Sequence, residues 1–147
     1  MAWALGQEMN MQKDGVDHIN AYSKGQTVLG RWLTNFARSP FVIDNISFAS
    51  VEGWWYWREV HDDRLRLATG STAKFLGKSL RKGYVAPPTR EELKRVYYAK
   101  LNASPSMRDM LKHSTLPITH YYRVPGDTRW TWTGELWNEI RNELRKE

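Results

Sequence analysis

Apolar residues at helical spacing, preceded by residues that cap helices, are the feature that most limits how this chain can fold. The clearest case follows Pro88, where Thr89 and Glu92 have the spacing of a capping box. In that motif each side chain accepts a hydrogen bond from the other residue's backbone N–H. Apolar residues then recur at intervals of three and four from Leu93 to Leu101, which predicts a helix with one buried face.

Four further helices are predicted from capping residues and from the same spacing. The first runs from its cap, Ser50, to about Val60, and the second from Gly70 to either Gly77 or Gly83. The third starts at Ser104–Pro105 and the fourth near Gly134.

Short strands are predicted in two places. Residues 18–22 alternate between polar and apolar side chains, and Phe41–Ile43 and Ile46–Phe48 flank the turn residues Asp44 and Asn45. Helices nevertheless dominate, so the expected fold class is α+β: one predominantly helical domain over residues 17–147 with a small β-sheet. The polar, Met-rich residues 1–16 are expected to form a flexible N-terminal segment.

The composition is that of an ordinary globular protein. The 147 residues are 41% hydrophobic and 26% charged, and eight of them are Trp. The absence of Cys excludes disulfides, thiolate zinc sites and Cys nucleophiles. The N-terminus has no secretory pattern, and no stretch approaches the roughly 20 apolar residues of a membrane span. We therefore expect a soluble, cytoplasmic protein that does not bind a membrane.

Lys and Arg exceed Asp and Glu by 22 − 16 = +6. Such a charge attracts phosphate-bearing partners such as DNA, but a solvated basic surface without a partner is an equally open interpretation. The sequence contains no HExxH, no glycine-rich phosphate loop and no GxSxG. We accordingly predict neither a metal nor a cofactor.

A single acid, Glu52, stands at the start of an aromatic cluster formed by residues 54–57. An acid among aromatic walls can lose solvent and act as a base or stabilise a developing positive charge. The alternative is structural, because the helix dipole favours a carboxylate in the first turn by about 0.3–1 kcal/mol.

Several motifs in one order resemble the NADAR (YbiA-like) family over about residues 19–144. The family has a Tyr-containing strand, a Ser-Asn-Phe element, an Asp-Gly hairpin, a Thr-Ser-Glu-His helix start, a Pro-Leu-Arg-Lys/Asp-x-Trp segment and a final helix. The corresponding segments here are INAYS (19–23), LTNF (33–36), SPFVIDNISFASVEGWWYW (39–57), SLRKGY (79–84) and GELWNEIR (134–141).

The resemblance implies a YbiA-like fold and N-glycosidase chemistry. Family members cleave the bond between ribose C1′ and a nitrogen, either in amino-pyrimidine intermediates of the riboflavin pathway or in ADP-ribose attached to guanine. Cleavage builds positive charge on the ribose ring, and the resemblance assigns its stabilisation, or the activation of water, to Glu52. The favoured substrate is ADP-ribosylated guanine in nucleic acid, in a role opposing ADP-ribosylating toxins.

The resemblance also suggests which residues line the pocket. Asn35 would hold a ribose hydroxyl, Phe36 would form part of the wall, and Trp54 lies close to Glu52 along the helix. Lys24 would trap the ribose aldehyde as a Schiff base if its amine is neutral.

Other residues are assigned to the base and the phosphates. Arg81 and Lys82 suit a phosphate clamp, and Tyr84, Tyr121 and Tyr122 suit stacking on a base or contact with a phosphate. All these residues also have structural interpretations that the sequence leaves open: Asn in turns, Tyr in cores, and Lys and Arg on solvated surfaces.

Three departures from the family pattern keep other functions open. Gly53 stands where the family has His, and Tyr84 where it has Trp. Residues 119–123 (THYYR) occupy the region of the family's Tyr-Trp-Gly-Asp-Gly segment, which has no clean counterpart here. One alternative is therefore an N-glycosidase of phosphoribosyl amino-pyrimidines. Another is a non-catalytic module that binds ADP-ribose or nucleic acid. The oligomeric state is not predicted.

Overall fold

The computed structural model describes residues 10–122 and 127–147. These residues form mainly helices with a small amount of strand, which confirms the α+β class. None of their helices has the length and apolar character needed to cross a bilayer. In chain order the elements are β1 (Ile19–Asn20), α1 (Val28–Leu33), β2 (Phe41–Ile43), β3 (Ile46–Phe48), α2 (Val51–Val60), α3 (Gly70–Leu80), α4 (Arg90–Asn102), α5 (Pro105–His113), β4 (Ile118–Thr119) and α6 (Thr131–Leu144).

The contacts divide the chain into two compact units. We call residues 35–108 the central unit and the described residues of 1–34 and 109–147 the terminal unit. The single-domain assignment stays a prediction. So does the flexible N-terminal segment, of which residues 1–9 lie outside the described part of the chain.

A tight hairpin opens the central unit, as the sequence predicts. β2 and β3 pair antiparallel, with Val42 opposite Ser47. The turn residues Asp44 and Asn45 have φ angles of 53° and 64°, the left-handed values of a two-residue hairpin turn. Phe41 is buried and Val42 exposed, so alternation along the strand places one face in the core.

The start of α2 also matches the sequence. The Ser50 hydroxyl accepts a hydrogen bond from the N–H of Gly53 at 3.0 Å and donates one to the carbonyl of Ala68 at 2.8 Å. The cap therefore satisfies a helix amide and ties α2 to the chain segment that leads into α3. The predicted end at Val60 is confirmed as well.

Helix α3 runs through Gly77, where the sequence allowed it to end. A Cβ on Gly77 would lie 2.1 Å from Cγ of Tyr56, so only glycine permits this approach of α2 to α3. Tyr56 lies opposite Gly77 and Glu59 opposite Arg81, so the two helices run in the same direction. The prediction that α3 ends at Gly77 is wrong, because this glycine lies inside the helix and allows α2 to pack closely against it.

The capping box of α4 is confirmed. The Thr89 hydroxyl accepts from the Glu92 N–H at 3.1 Å, and the Glu92 carboxylate accepts from the Thr89 N–H at 3.0 Å. Leu93 and Leu101 are fully buried, as the predicted apolar face requires.

The terminal unit contains a parallel strand pair that the sequence did not predict. β1 pairs with β4, with Ile19 opposite Ile118. Strand 18–22 is shorter than predicted, covering Ile19–Asn20. Helix α6 begins at Thr131, three residues before the predicted start near Gly134. Its Trp137 is fully buried, and the indole N–H donates to the Leu33 carbonyl at 3.1 Å.

Candidate active site

Glu52 occupies the first turn of α2, within the central unit. Its N–H donates to the carbonyl of Asn35 at 2.9 Å, so the segment before the hairpin passes directly beside this turn. The side chain is largely but not fully buried. Within the central unit its carboxylate makes no hydrogen bond or ion pair, which is uncommon for a carboxylate with so little solvent around it.

The surroundings of Glu52 favour its protonated form. Burial raises the pKa of Glu52 to about 7, while Lys74 and Lys78 on α3 oppose the rise and Glu59 adds to it. Near neutral pH the group therefore exists in both protonation states, as a general acid or base requires.

Asn35 and Phe36, the predicted ribose contact and pocket wall, belong to the segment that passes beside Glu52. The Asn35 side-chain oxygen accepts a hydrogen bond from the Tyr97 hydroxyl at 2.8 Å, and the Phe36 carbonyl accepts from the Gly70 N–H at 3.1 Å. The Asn35 amide nitrogen has no partner within residues 10–122 and 127–147. It is available to donate to a ligand hydroxyl close to Glu52.

The residue after Glu52 has no room for a side chain. A Cβ on Gly53 would lie 2.3 Å from the Leu65 carbonyl oxygen. A His at this position, as in the family, requires a different path for the chain around Leu65. Trp54, the predicted substrate-binding residue close to Glu52 along the helix, is buried, with the Arg58 guanidinium 6.0 Å from its ring centre.

Arg81 and Lys82, the two residues of the predicted phosphate clamp, have different surroundings. Arg81 donates to both carboxylate oxygens of Glu59, at 2.6 and 2.8 Å, and the Glu59 side chain is only 1% exposed. Lys82 is exposed, and Tyr84 is 88% exposed. The guanidinium of Arg81 is thus already engaged, whereas Lys82 and Tyr84 face solvent.

The remaining predicted residues belong to the terminal unit. Lys24 is exposed and follows β1, and Tyr121 and Tyr122 follow β4. The Tyr121 backbone is held by Asn20, whose side-chain amide bonds both its N–H and its carbonyl at 3.0 Å. Tyr122 packs edge-on against Tyr22, with 6.1 Å between ring centres.

The chain was compared with protein-family models, curated proteins and solved structures. No family model, no curated protein and no solved structure matches this chain. Membership in the NADAR family, and each residue role that it implies, therefore stays a prediction.

Sequence reasoning missed two ionisable groups. His18 is buried and joins Asp17 to the Tyr121 hydroxyl, with both ring nitrogens 2.6 Å from their partners. Lys100 on α4 is 1% exposed, and burial lowers its pKa to about 7. The one sequence signal that could have identified Lys100 is its position in an otherwise apolar stripe of α4. No short-range pattern linked His18 to Tyr121.

A concave surface elsewhere in the central unit is a weaker candidate. A shallow groove of about 610 Å³ lies between β2 and α4, and no predicted site residue lines it. Its one carboxylate, Asp44, is paired with Arg95. Across the described ranges, no three His, Asp or Glu side chains are grouped as a metal site requires.

The raised pKa of Glu52 predicts a pH-dependent stability. Because the folded-state pKa is near 7 and the unfolded value near 4.5, the folded state binds more protons between these values. The free energy of unfolding should therefore fall by about 2 kcal/mol as pH rises through that window. Urea unfolding at several pH values measures this loss.

The matched variant for that experiment is Glu52→Gln, which keeps the volume and removes the ionisation. Its stability should lack the decline between pH 4.5 and 7. Lys100 does not cause the same decline. Because its pKa is lowered to about 7 in the folded state, the unfolded state binds more protons above that pH, and stability there rises with pH. An identical decline in parent and variant would show that Glu52 is ordinarily solvated.

Proposed function

We propose that this protein is an N-glycosidase that hydrolyses a ribose C1′–N bond, removing ADP-ribose from guanine bases in nucleic acid. The observation that carries the proposal is the Glu52 carboxyl group. It is partly exposed, unpaired within the central unit and has a pKa raised to about 7. Groups with such perturbed pKa values concentrate at functional sites.

The chemistry follows from this position. As the C1′–N bond breaks, its electron pair goes to the departing nitrogen, which takes a proton from solvent, and the ribose becomes cationic. Ionised Glu52 accepts a proton from the water whose oxygen bonds C1′, and later releases that proton to solvent. The same negative charge stabilises the cationic sugar before water attacks. The products are free ADP-ribose and the unmodified base.

The neighbours of Glu52 support binding of a sugar. The Asn35 amide is a donor for a ribose hydroxyl, and its side chain is oriented by the Tyr97 hydroxyl at 2.8 Å. Lys74 and Lys78 supply positive charge on the facing helix. Positive charge there suits a ligand that carries phosphates as well as ribose.

A second function is favoured by one observation. Gly53 replaces the family's His, and the Leu65 carbonyl leaves no space for a side chain there. If that His is required for turnover, this chain is a module that binds ADP-ribose without cleaving it.

The deciding experiment compares two substrates. The protein is incubated with DNA carrying ADP-ribosylated guanine and, separately, with a phosphoribosyl amino-pyrimidine, and free ADP-ribose and free pyrimidine are quantified by chromatography. We expect ADP-ribose release. Release from the pyrimidine alone would favour the riboflavin-type reaction. Binding of ADP-ribose without release of either product would identify the protein as the non-catalytic binding module.

A further inference from the structure

The excess positive charge of this protein lies in one segment. Residues 64–90 contain seven Lys and Arg and no Asp or Glu. The rest of the chain therefore has 22 − 7 = 15 cations and 16 acids, a formal charge of −1. The net charge of +6 is thus a property of the segment that contains α3 and the residues after it.

Two lysines of this segment are left to interact with solvent or a partner. Arg81 is bound to Glu59, Arg64 to Asp62, and Arg66 lies 3.7 Å from Asp63. Lys78 and Lys82, in contrast, are exposed and make no hydrogen bond or ion pair with the described residues. Neither ammonium group forms an ion pair with an acid of the described residues.

Aromatic rings stand among these lysines. Phe75 is 70% exposed and Tyr84 is 88% exposed, and neither ring has an aromatic partner or a hydrogen bond among the described residues. On α3, Phe75 and Lys78 are three residues apart and share the outer face, because Ala73 and Gly77 are buried on the inner one. An exposed large ring has no structural benefit in water and often marks an interaction site.

The segment after α3, residues 81–89, is held in place rather than loose. At its start Arg81 binds Glu59, and further on the Ala86 carbonyl accepts from Arg58 at 2.7 Å. Between these ties Gly83 has φ = 123°, a conformation that side chains disfavour. The ring of Tyr84 is therefore presented to solvent from an anchored backbone.

We propose that Phe75, Lys78, Lys82 and Tyr84, the α3 surface, bind single-stranded nucleic acid. Rings stack on the faces of unpaired bases, and lysines among them neutralise phosphates. A duplex hides its base faces and would leave both rings without a partner. An anionic membrane is a poorer fit, because Phe75 is surrounded on α3 by exposed Ser71, Thr72 and Ser79 rather than by an apolar face.

This inference rests on the proposed function and deepens it, since it specifies single-stranded nucleic acid as the carrier of the modified base. Phe75 and Lys78 of the α3 surface lie on the same helix as Lys74, and the charges of Lys74 and Lys78 act on Glu52.

The test is fluorescence anisotropy with a labelled oligothymidylate and with a DNA duplex of the same length. The full chain should bind the single strand more tightly. Phe75→Ala combined with Tyr84→Ala should weaken that binding about tenfold or more. Lys78→Glu combined with Lys82→Glu should weaken it similarly and reduce the dependence of log K on log salt by about 1.4, since each phosphate contact contributes about 0.7.

Two control variants make the result specific. Lys13→Glu with Lys146→Glu changes the formal charge by the same amount, from +6 to +2, at exposed positions of the terminal unit. Val42→Ala removes an exposed apolar side chain elsewhere in the central unit. Both should retain the parent affinity within about twofold.

Several outcomes overturn the proposal: equal weakening by the Lys13/Lys146 control, preference for the duplex, or binding to vesicles of anionic lipid without binding to the oligonucleotide. Glu52→Gln separates this proposal from the glycosidase. It should bind the unmodified oligonucleotide as the parent does. If the parent binds the oligonucleotide but releases no ADP-ribose, the proposed surface stands and the proposed glycosidase activity is wrong. If it releases ADP-ribose but does not bind the oligonucleotide, the activity stands and the proposed surface is wrong.

Discussion

Glu52→Gln is expected to lower kcat/KM for release of ADP-ribose from guanine by about a hundredfold or more, because the amide accepts no proton from water and does not offset the ribose charge. This corresponds to about 2.7 kcal/mol of lost transition-state stabilisation. The parent rate should rise with pH through about 7, where Glu52 ionises, and that rise should be absent from the residual activity of the variant. Initial rates across pH, followed by chromatography of ADP-ribose, measure both effects.

The matched control is Glu91→Gln. Glu91 also lies in the first turn of a helix, α4, but is exposed. It should keep the full rate, since a carboxylate that serves only the helix dipole contributes to stability and not to turnover. A folded Glu52→Gln protein with a rate within about threefold of the parent would contradict the role of Glu52.

Gly77→Val is expected to lower the free energy of unfolding by about 3 kcal/mol or more, because the new side chain overlaps the ring of Tyr56. Three ring and Cβ atoms of Tyr56 would lie 2.1–2.4 Å from the added Cβ. Intrinsic helix propensity predicts the opposite sign, since Val is a better helix former than Gly by a few tenths of a kcal/mol. Urea unfolding followed by circular dichroism decides between the two.

Ser79→Val is the control, because it places the same side chain on the exposed face of α3. It should change stability by no more than about 0.5 kcal/mol. In a double-mutant cycle, Gly77→Val should cost less when Tyr56 is first replaced by Ala, which removes the overlapping ring. Equal stability of the Gly77→Val and Ser79→Val proteins would show that α2 and α3 are not in close contact at this point.

Local motifs made the best predictions. Ser50 and Thr89 cap α2 and α4, and Asp44–Asn45 turns the hairpin, as the sequence indicated. These features depend on groups within about four residues of one another, so a short stretch of sequence contains all the atoms involved.

Glycine was the least reliable signal. Gly77 suggested an end to α3, yet it lies inside the helix under Tyr56. The same residue type that stops one helix permits another to pack closely, and the choice depends on a side chain 21 positions away in the sequence. No local pattern distinguishes the two cases.

The candidate site combines both kinds of information. The sequence placed Glu52 in the first turn of a helix and selected Asn35 and Phe36 as its companions. The structure adds the backbone bond between Glu52 and Asn35 and the burial that raises the pKa of Glu52. It also shows Arg81 bound to Glu59, whereas the sequence had left a phosphate clamp and a solvated surface open for Arg81.

The sequence by itself determined the helical majority, the hairpin, two capped helix starts and the position of the acid on which the proposed function depends. Only the tertiary structure decided the pairing of β1 with β4, the continuation of α3 through Gly77, and the burial of Lys100. Caps and turns are satisfied by neighbouring residues, whereas strand partners, close helix contacts and loss of solvent come from residues distant in the chain. Such distant contacts form only when the chain folds.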